Sequence, residues 1–179
     1  IDVDAVAEGA AKAFLKNGDT TWAKVLEAMD HVVDVKVAGT VDVDVVNLSL
    51  GKLALFDGHE ISDLLVDEMR KAGIIVVSAS ANSGPLPSTT ATPGTSFSSI
   101  TAGATEEAVS SRIFYEWYGL FLGADGLPGT GDENAGWGYV MRPTAEARIV
   151  SFSSRGPTGD GRGKPDISAL GIWNFVQGV

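Results

Sequence analysis

An asparagine at the end of an apolar segment is the residue best suited to chemistry in this chain. Residues 73–85 read GIIVVSASANSGP, in which an apolar run typical of a strand buried on both faces gives way to small residues and then to Asn82. In an open parallel sheet, ligands bind beyond the carboxyl ends of the strands, where the Asn82 amide could donate a hydrogen bond into a cleft. Asparagine is also a common turn former, so this segment alone leaves a purely structural turn as the alternative.

Two further segments narrow this choice. Residues 44–51 read DVVNLSLG, and residues 150–171 read VSFSSRGPTGDGRGKPDISALG. Together with SASANSGP, and in this order, they resemble the subtilisin-like serine endopeptidases, the subtilases, and especially their pyrolysin-like members. Three smaller matches agree with the resemblance: the AVAEGA turn at 5–10, the helix-like TWAKVLEAMDHVV at 21–33 and the strand-like TPGTSFSSITAGAT at 92–105.

The resemblance implies a fold and a domain layout. The fold would be α/β, a doubly wound and mostly parallel sheet with helices on both faces, and in this chain it would be incomplete. Residues 1–179 would form a single, partial catalytic domain in which residues 106–148 are a family-variable insertion. Independently of the resemblance, the alternation of helical and strand-like segments predicts the same doubly wound α/β class.

The resemblance also implies roles in peptide-bond hydrolysis. Asn82 would donate its side-chain N–H to the oxyanion of the tetrahedral intermediate. Six residues would hold the substrate: those that pair with its backbone, Ser49, Leu50 and Gly51, and those that form one wall of the pocket for the residue before the cut, Ser78, Ala79 and Ser80. A plain strand-terminal turn is the alternative for residues 49–51.

Two positions depart from the family pattern. The family usually has glycine before the oxyanion asparagine, whereas this chain has Ala81. If that position needs a positive φ, alanine is strained there by about 1 kcal/mol, and the turn is re-aimed. Leu170 stands where the family has proline, which weakens the match of the final segment.

The catalytic triad of the family has no counterpart among the motifs of this chain. Neither His31 nor His59 has the HGT context of the family's base, and both are interpreted as surface or helix-cap residues. Ser96 lies in GTSF directly after the asparagine strand, so we interpret it as a loop residue that follows an implied cis bond between Thr92 and Pro93; a nucleophile is the alternative. We therefore expect the triad Asp, His and Ser to lie outside this chain, in remaining segments of a parent catalytic domain, and this span alone to be inactive.

Hydrophobic spacing predicts the elements that position these residues. Residues 20–33 predict an amphipathic helix with Thr20 or Thr21 as the N-cap. Residues 59–72 predict a second helix that ends at Gly73 and directs four apolar side chains inward: Ile61, Leu64, Leu65 and Met69. Strands are predicted at 44–50, 74–80, 99–104 and 149–153.

Composition and charge disfavour several classes of partner and exclude some kinds of site. The net charge of −10 disfavours nucleic acid and anionic membranes, and no apolar run is long enough to span a bilayer. The absence of cysteine excludes disulfides and thiolate metal sites. The first residues lack the pattern of a signal peptide, so we expect an internal piece of a longer precursor.

A glycine-rich acidic loop is the one candidate for a metal site. It contains Asp132, Glu133 and Asn134, which offer oxygen ligands suited to Ca²⁺ but lack the spacing of an EF-hand, so a solvated acidic loop is the alternative. We expect no required cofactor and leave open Ca²⁺ as a structural ion.

Two function classes follow from the resemblance. The first is the central part of a subtilisin-like serine endopeptidase that acts on a polypeptide substrate, in an extracellular or cell-surface location. The alternative is a non-catalytic subtilase-like module that binds peptides or serves as a scaffold.

Overall fold

The computed structural model describes most of the central part of the chain. The described residues are 20–111, 113, 127, 129–131 and 147–172. The AVAEGA segment at 5–10 and the candidate metal ligands Asp132, Glu133 and Asn134 lie outside them.

The chain divides into two compact units. The first comprises residues 1–103 and 152–167, and the second comprises residues 104–151 and 168–179. The proposed insertion at 106–148 falls within the second unit. The interpretation of the whole chain as one partial domain stays a prediction.

Helix α1, Trp22–Val37, confirms the first predicted helix and continues beyond its expected end at residue 33. Thr21 is extended, and its side chain accepts a hydrogen bond from the Lys24 N–H at 3.4 Å, so Thr21 is the N-cap. Val25 and Met29 lie one turn apart on the face that is buried in the core.

Helix α2, Ile61–Lys71, confirms the second predicted helix. It begins with a capping box, in which the N–H of Glu60 donates to the Asp63 side chain at 3.3 Å. It ends before Gly73, whose φ of +87° is a conformation that glycine adopts without strain.

The buried face of α2 differs from the predicted one. Met69 is buried as expected, but Ile61 and Leu64 are 64% and 50% exposed. The helix instead buries Ser62 and Asp63 at its first turn, because their side chains take part in a hydrogen-bonded cluster with residues of a distant loop. Apolar periodicity is therefore a poor guide to the orientation of this first turn.

Three parallel strands form the sheet of the first unit: β1, Val45–Leu48; β2, Ile75–Ala79; and β3, Ile100–Glu106, of which residues up to 103 belong to this unit. In this register Val46 lies beside Val76, and Ser78 lies beside Thr101. The two α helices and one face of β1 and β2 bury a common core: Val25, Met29, Leu48, Val66, Met69, Ile74 and Val76. This arrangement agrees with the predicted α/β class.

The other face of these strands is open. Val45, Ile75 and Ile100 are 57%, 44% and 41% exposed. The prediction that β2 is buried on both faces is wrong at Ile75, because the described helices contribute their buried residues to the opposite face.

In the second unit, the remainder of β3 pairs with a short strand. The strand β4, Arg148–Ile149, is antiparallel to β3, with Ile149 beside Thr105, and it stops well short of the predicted end at residue 153. The strand β5, Ile167–Leu170, also pairs with β3 and was not predicted.

Candidate functional site

A cleft of about 300 Å³ lies where β1 and β2 end. Its walls come from the segment after β1, from the end of β2 with its following turn, and from one residue of a later loop: Ser49, Leu50, Gly51, Lys52, Leu53, Ala79, Ala81, Asn82, Ser83 and Ala91. The structure thus brings together Asn82, Ala79 and residues 49–51 from the sites predicted by sequence. This is the edge of a parallel sheet where ligands bind.

The segment after β1 is held by close contact with residues 91 and 92. The Lys52 N–H donates to the Thr92 carbonyl at 3.1 Å, and the Thr92 N–H donates to the Lys52 carbonyl at 3.0 Å. A Cβ atom at Gly51 would lie 3.0 Å from the Thr92 carbonyl oxygen, so a side chain there would crowd this contact. The absence of a side chain lets the two backbones approach.

The end of β2 presents only alternate residues to the cleft. Ala79 lines it, whereas Ser78 and Ser80 are almost fully buried and do not. The Ser78 hydroxyl accepts a hydrogen bond from Ser99 at 2.8 Å. The Ser80 carbonyl accepts from the Ala91 N–H at 3.1 Å, which ties the loop containing residue 91 to this strand.

The turn that carries Asn82 contains a strained residue and is held by hydrogen bonds to Ser154. Ala81 has a φ of +84°, the left-handed conformation in which alanine is disfavoured by about 1 kcal/mol. The Ala81 carbonyl accepts from the Ser154 N–H at 2.9 Å, and the Ser83 N–H donates to the Ser154 hydroxyl at 3.0 Å. These bonds tie the residues on either side of Asn82 to Ser154.

Asn82 itself is exposed at the cleft, and its side-chain amide makes no hydrogen bond to the described residues. An amide that is already held by a fixed turn and has no protein partner is able to donate to a ligand.

A buried carboxylate lies behind the loop that closes the cleft. Asp63 is fully buried, and its oxygens accept hydrogen bonds from the hydroxyls of Thr92, at 2.8 Å, and of Thr95, at 3.1 Å. Burial raises the pKa of the Asp63 carboxyl, and hydrogen bonds from these hydroxyls and from the Glu60 and Gly58 N–H groups oppose that rise in part.

Ser96 and the two histidines lie away from the cleft lining. Ser96 is fully buried, and its hydroxyl donates to Asp67 at 3.2 Å. His31 lies on α1, and the exposed His59 contacts Phe97 edge to face at a centroid distance of 5.7 Å. The Thr92–Pro93 bond is cis, as the family resemblance implied.

The described residues contain no group of three or more acidic, histidine or cysteine side chains that could hold a metal ion. In the same part of the chain, no helix combines the length and the apolar character needed to cross a membrane.

Sequence reasoning identified residues 92–105 by resemblance but did not place the loop that begins there at the cleft. Ala91 and Lys52 line the cleft, and Asp63 is buried near it, but none of them belongs to a motif that we singled out. The Thr-Pro-Gly sequence at 92–94 drew attention only to the implied cis bond, and it gave no sign that this loop pairs with Lys52. No local signal in α2 indicates that Asp63 reaches it.

The profile of the Subtilase family matches residues 4–177, and the chain belongs to this family. It is 32% identical over 165 residues to the serine protease AprX of Bacillus subtilis, which covers 90% of this chain and 30% of that protein. It is 30% identical over 176 residues to pyrolysin of Pyrococcus furiosus, covering 94% of this chain and 11% of that protein. The chain thus spans less than a third of the length of these relatives.

Two solved structures share the fold. Sphericase superposes with a TM-score of 0.59 at 20% identity, over 89% of this chain and 42% of that one. The S41 psychrophilic protease superposes with a TM-score of 0.55 at 23% identity, over 87% of this chain and 40% of that one. These similarities confirm the predicted subtilisin-like fold.

Proposed function

We propose that this chain is the central part of a subtilisin-like serine endopeptidase. It supplies the oxyanion donor and the strands that bind the substrate, while the Asp, His and Ser of the triad lie outside its 179 residues. The observation that carries the proposal is the Asn82 amide, which is exposed at the cleft and has no hydrogen-bond partner among the described residues.

In this proposal an extended peptide binds along the segment that follows β1. Ser49 and Gly51 are exposed there, so a peptide backbone can pair with this segment as an added strand. Ala79 and Ser83 line the same cleft, where the residue before the cut would lie. The carbonyl of that residue would receive the Asn82 N–H as negative charge develops on its oxygen.

The asparagine acts on the transition state more than on the bound substrate. Its hydrogen bond strengthens as the carbonyl oxygen becomes an oxyanion, and such a bond lowers the barrier to the chemical step. No cofactor is needed for this chemistry, because the nucleophile, base and oxyanion donor are all protein groups. An extracellular or cell-surface location belongs to the same proposal.

The test compares this chain with the complete gene product that contains it. We expect a fluorophosphonate probe to label a serine in the complete product but not in the 179-residue chain. We also expect the complete product to cleave a fluorogenic peptide. Stoichiometric labelling of Ser96 in the short chain would contradict the proposed placement of the nucleophile.

The same experiment separates the enzyme from a non-catalytic module. A complete product that binds peptides at the cleft but neither reacts with the probe nor cleaves them would be a binding or scaffold protein. Sequencing the flanking gene segments gives an independent check, because the enzyme requires an HGT motif before residue 1 and a GTSMA motif after residue 179.

A further inference from the structure

Asp63 has more hydrogen bonds than its place in the capping box requires. Its Oδ2 accepts from the backbone N–H groups of Gly58, at 3.0 Å, and Glu60, at 3.3 Å, which is the capping function. Its Oδ1 accepts from the Thr92 hydroxyl at 2.8 Å, and both oxygens lie 3.1 Å from the Thr95 hydroxyl. The carboxylate therefore links the start of the helix to a loop 29 residues further along the chain.

The direction of these bonds is set by chemistry. An ionised carboxylate only accepts, so the Thr92 hydroxyl must donate its one hydrogen to Asp63. The Ser62 hydroxyl lies 2.5 Å from the same Thr92 oxygen, and it must then be the donor in that pair. No lysine, arginine or histidine forms an ion pair with Asp63 among the described residues, so these bonds alone compensate its burial.

Thr92 connects this cluster to both walls of the cleft. Its backbone N–H and carbonyl pair with Lys52, in the segment after β1, at 3.0 and 3.1 Å. The preceding residue, Ala91, donates its N–H to the Ser80 carbonyl at the end of β2. Ala91 and Thr92 therefore connect the end of β2 to the segment after β1. The Thr92 side chain is fixed by its hydrogen bond to Asp63.

We propose that Asp63 is a positioning residue for substrate binding: through the Thr92 hydroxyl it sets where the peptide-binding segment after β1 lies relative to the turn of Asn82. This inference rests on the proposed function, because it assigns the support of the same cleft. It adds a residue that touches neither the cleft nor a substrate.

Two threonines provide a matched pair of variants. Thr92 and Thr95 are both fully buried, and both donate a hydroxyl to Asp63. Only Thr92 pairs with Lys52. Valine replaces each with nearly the same shape, so each variant removes the hydroxyl donated to Asp63, and Thr92→Val also removes the acceptor of the Ser62 hydroxyl. The two variants differ in their link to the cleft.

In the complete gene product, we expect Thr92→Val to raise KM by about tenfold for a substrate that extends several residues before the cut, because the segment after β1 would no longer be fixed before the substrate binds. We expect kcat to change by less than about twofold, because binding along a strand is common to the ground and transition states. Thr95→Val should leave both values within about twofold. Equal effects of the two variants on KM would overturn the proposal.

Replacement of Asp63 itself gives a second test. Asp63→Asn can turn its oxygen toward the fixed N–H donors and its NH₂ toward Thr92, whose hydroxyl can then donate to Ser62, so the cluster survives with reversed polarity. Asp63→Leu has no such arrangement. We expect the asparagine variant to retain the wild-type KM and the leucine variant to match Thr92→Val; a leucine variant with unchanged KM would refute a positioning role.

Hydrogen exchange of backbone amides measures how firmly the Lys52–Thr92 pairing is held, and it does not depend on enzyme activity. Thr92→Val and Asp63→Leu should each speed exchange of the Lys52 and Thr92 amides, with the Val76 amide in β2 as an internal reference. Unchanged exchange at Lys52 would overturn the inference even in an active enzyme. Faster exchange together with a wild-type product that cleaves no peptide would instead refute the proposed function and leave the positioning role intact.

Discussion

The turn at residues 80–83 and the loop at residues 91–95 both border the cleft, yet they are built in opposite ways. The turn carries a strained alanine, Ala81, and an asparagine amide that has no partner among the described residues. The loop has its side chains buried and paired: Thr92 and Thr95 donate to Asp63, and the Gly94 carbonyl accepts from Thr101 at 2.6 Å.

The difference shows how an unsatisfied donor can be kept in place. A side-chain amide without a hydrogen-bond partner is not fixed by any bond of its own. Its position has to come from neighbours whose own hydrogen bonds are complete. In this protein, the Ala91 N–H pairs with the Ser80 carbonyl two residues before Asn82, and Ser154 pairs with Ala81 and Ser83 on either side of Asn82.

The largest expected effect is on kcat and comes from the turn at residues 80–83. Under the proposed function, Asn82→Ala in the complete gene product should lower kcat by about 10²- to 10³-fold with little change in KM, the known cost of removing such a donor from a subtilisin. Ser83→Ala is the control, because Ser83 lines the same cleft but its side chain is not proposed to bind the oxyanion. Steady-state kinetics with a fluorogenic peptide gives both constants, and an unchanged kcat in Asn82→Ala would show that the asparagine is structural.

A substitution in the loop at residues 91–95 should change the stability of the fold. A Cβ at Gly94 would lie 2.8 Å from the Ala79 carbonyl oxygen and 2.9 Å from that of Ala91. We expect Gly94→Ala to lower the free energy of unfolding by about 1–3 kcal/mol through this overpacking. Gly163→Ala is the matched control, because no atom lies within 4 Å of a Cβ there. Urea unfolding monitored by tryptophan fluorescence measures both, and equal stabilities would mean that the loop is not tightly packed.

The strain at residue 81 predicts a smaller and opposite change. Ala81→Gly should raise the free energy of unfolding by about 1 kcal/mol, because glycine adopts positive φ without steric cost. Ser88, the other described non-glycine residue with positive φ, at +55°, is exposed and outside the cleft lining, so Ser88→Gly is the control for strain relief alone. A loss of stability in Ala81→Gly would show that the alanine side chain makes contacts that outweigh its strain.

The smallest effect is a dependence of stability on pH. Because burial raises the pKa of Asp63 above 3.8, the folded protein binds this proton more tightly than the unfolded chain does. The contribution of Asp63 to stability is therefore fully present below pH 3.8 and is lost as the pH rises through its pKa in the folded protein. We expect Asp63→Asn to gain stability relative to the wild type as the pH rises over this range, measured by chemical unfolding in acid and at neutral pH.

Asp160 supplies a control of opposite sign. Hydrogen bonds from Arg162 and Thr158 lower the pKa of Asp160 to about 2, so its contribution is present above pH 3.8 and is lost as the pH falls toward 2. Relative to the wild type, Asp160→Asn should lose stability as the pH rises from 2 to 3.8. The same slope in both variants would contradict the contrast between the two carboxylates.

Much of this molecule was predictable because its signals are local. The N-cap at Thr21, the end of α2 before Gly73 and the place of Asn82 after β2 each depend on residues within one or two turns of the chain. The order of the family motifs also predicted where the cleft lies. Parallel strands bring residues 49–51 and Asn82 to the same edge of a sheet.

The tertiary structure alone decided which way α2 faces and what supports the cleft. Periodicity placed Ile61 and Leu64 inward, but the hydrogen bonds of Asp63 to Thr92 and Thr95 join residues 29 and 32 positions apart. A pattern within α2 contains no information on a donor in a distant loop. The sequence by itself determined most of the elements and the position of Asn82 at the end of a strand, because these follow from local backbone preferences. The strand β5 and the hydrogen bonds among Asp63, Thr92 and Thr95 came from long-range pairing, which exists only once the chain has folded.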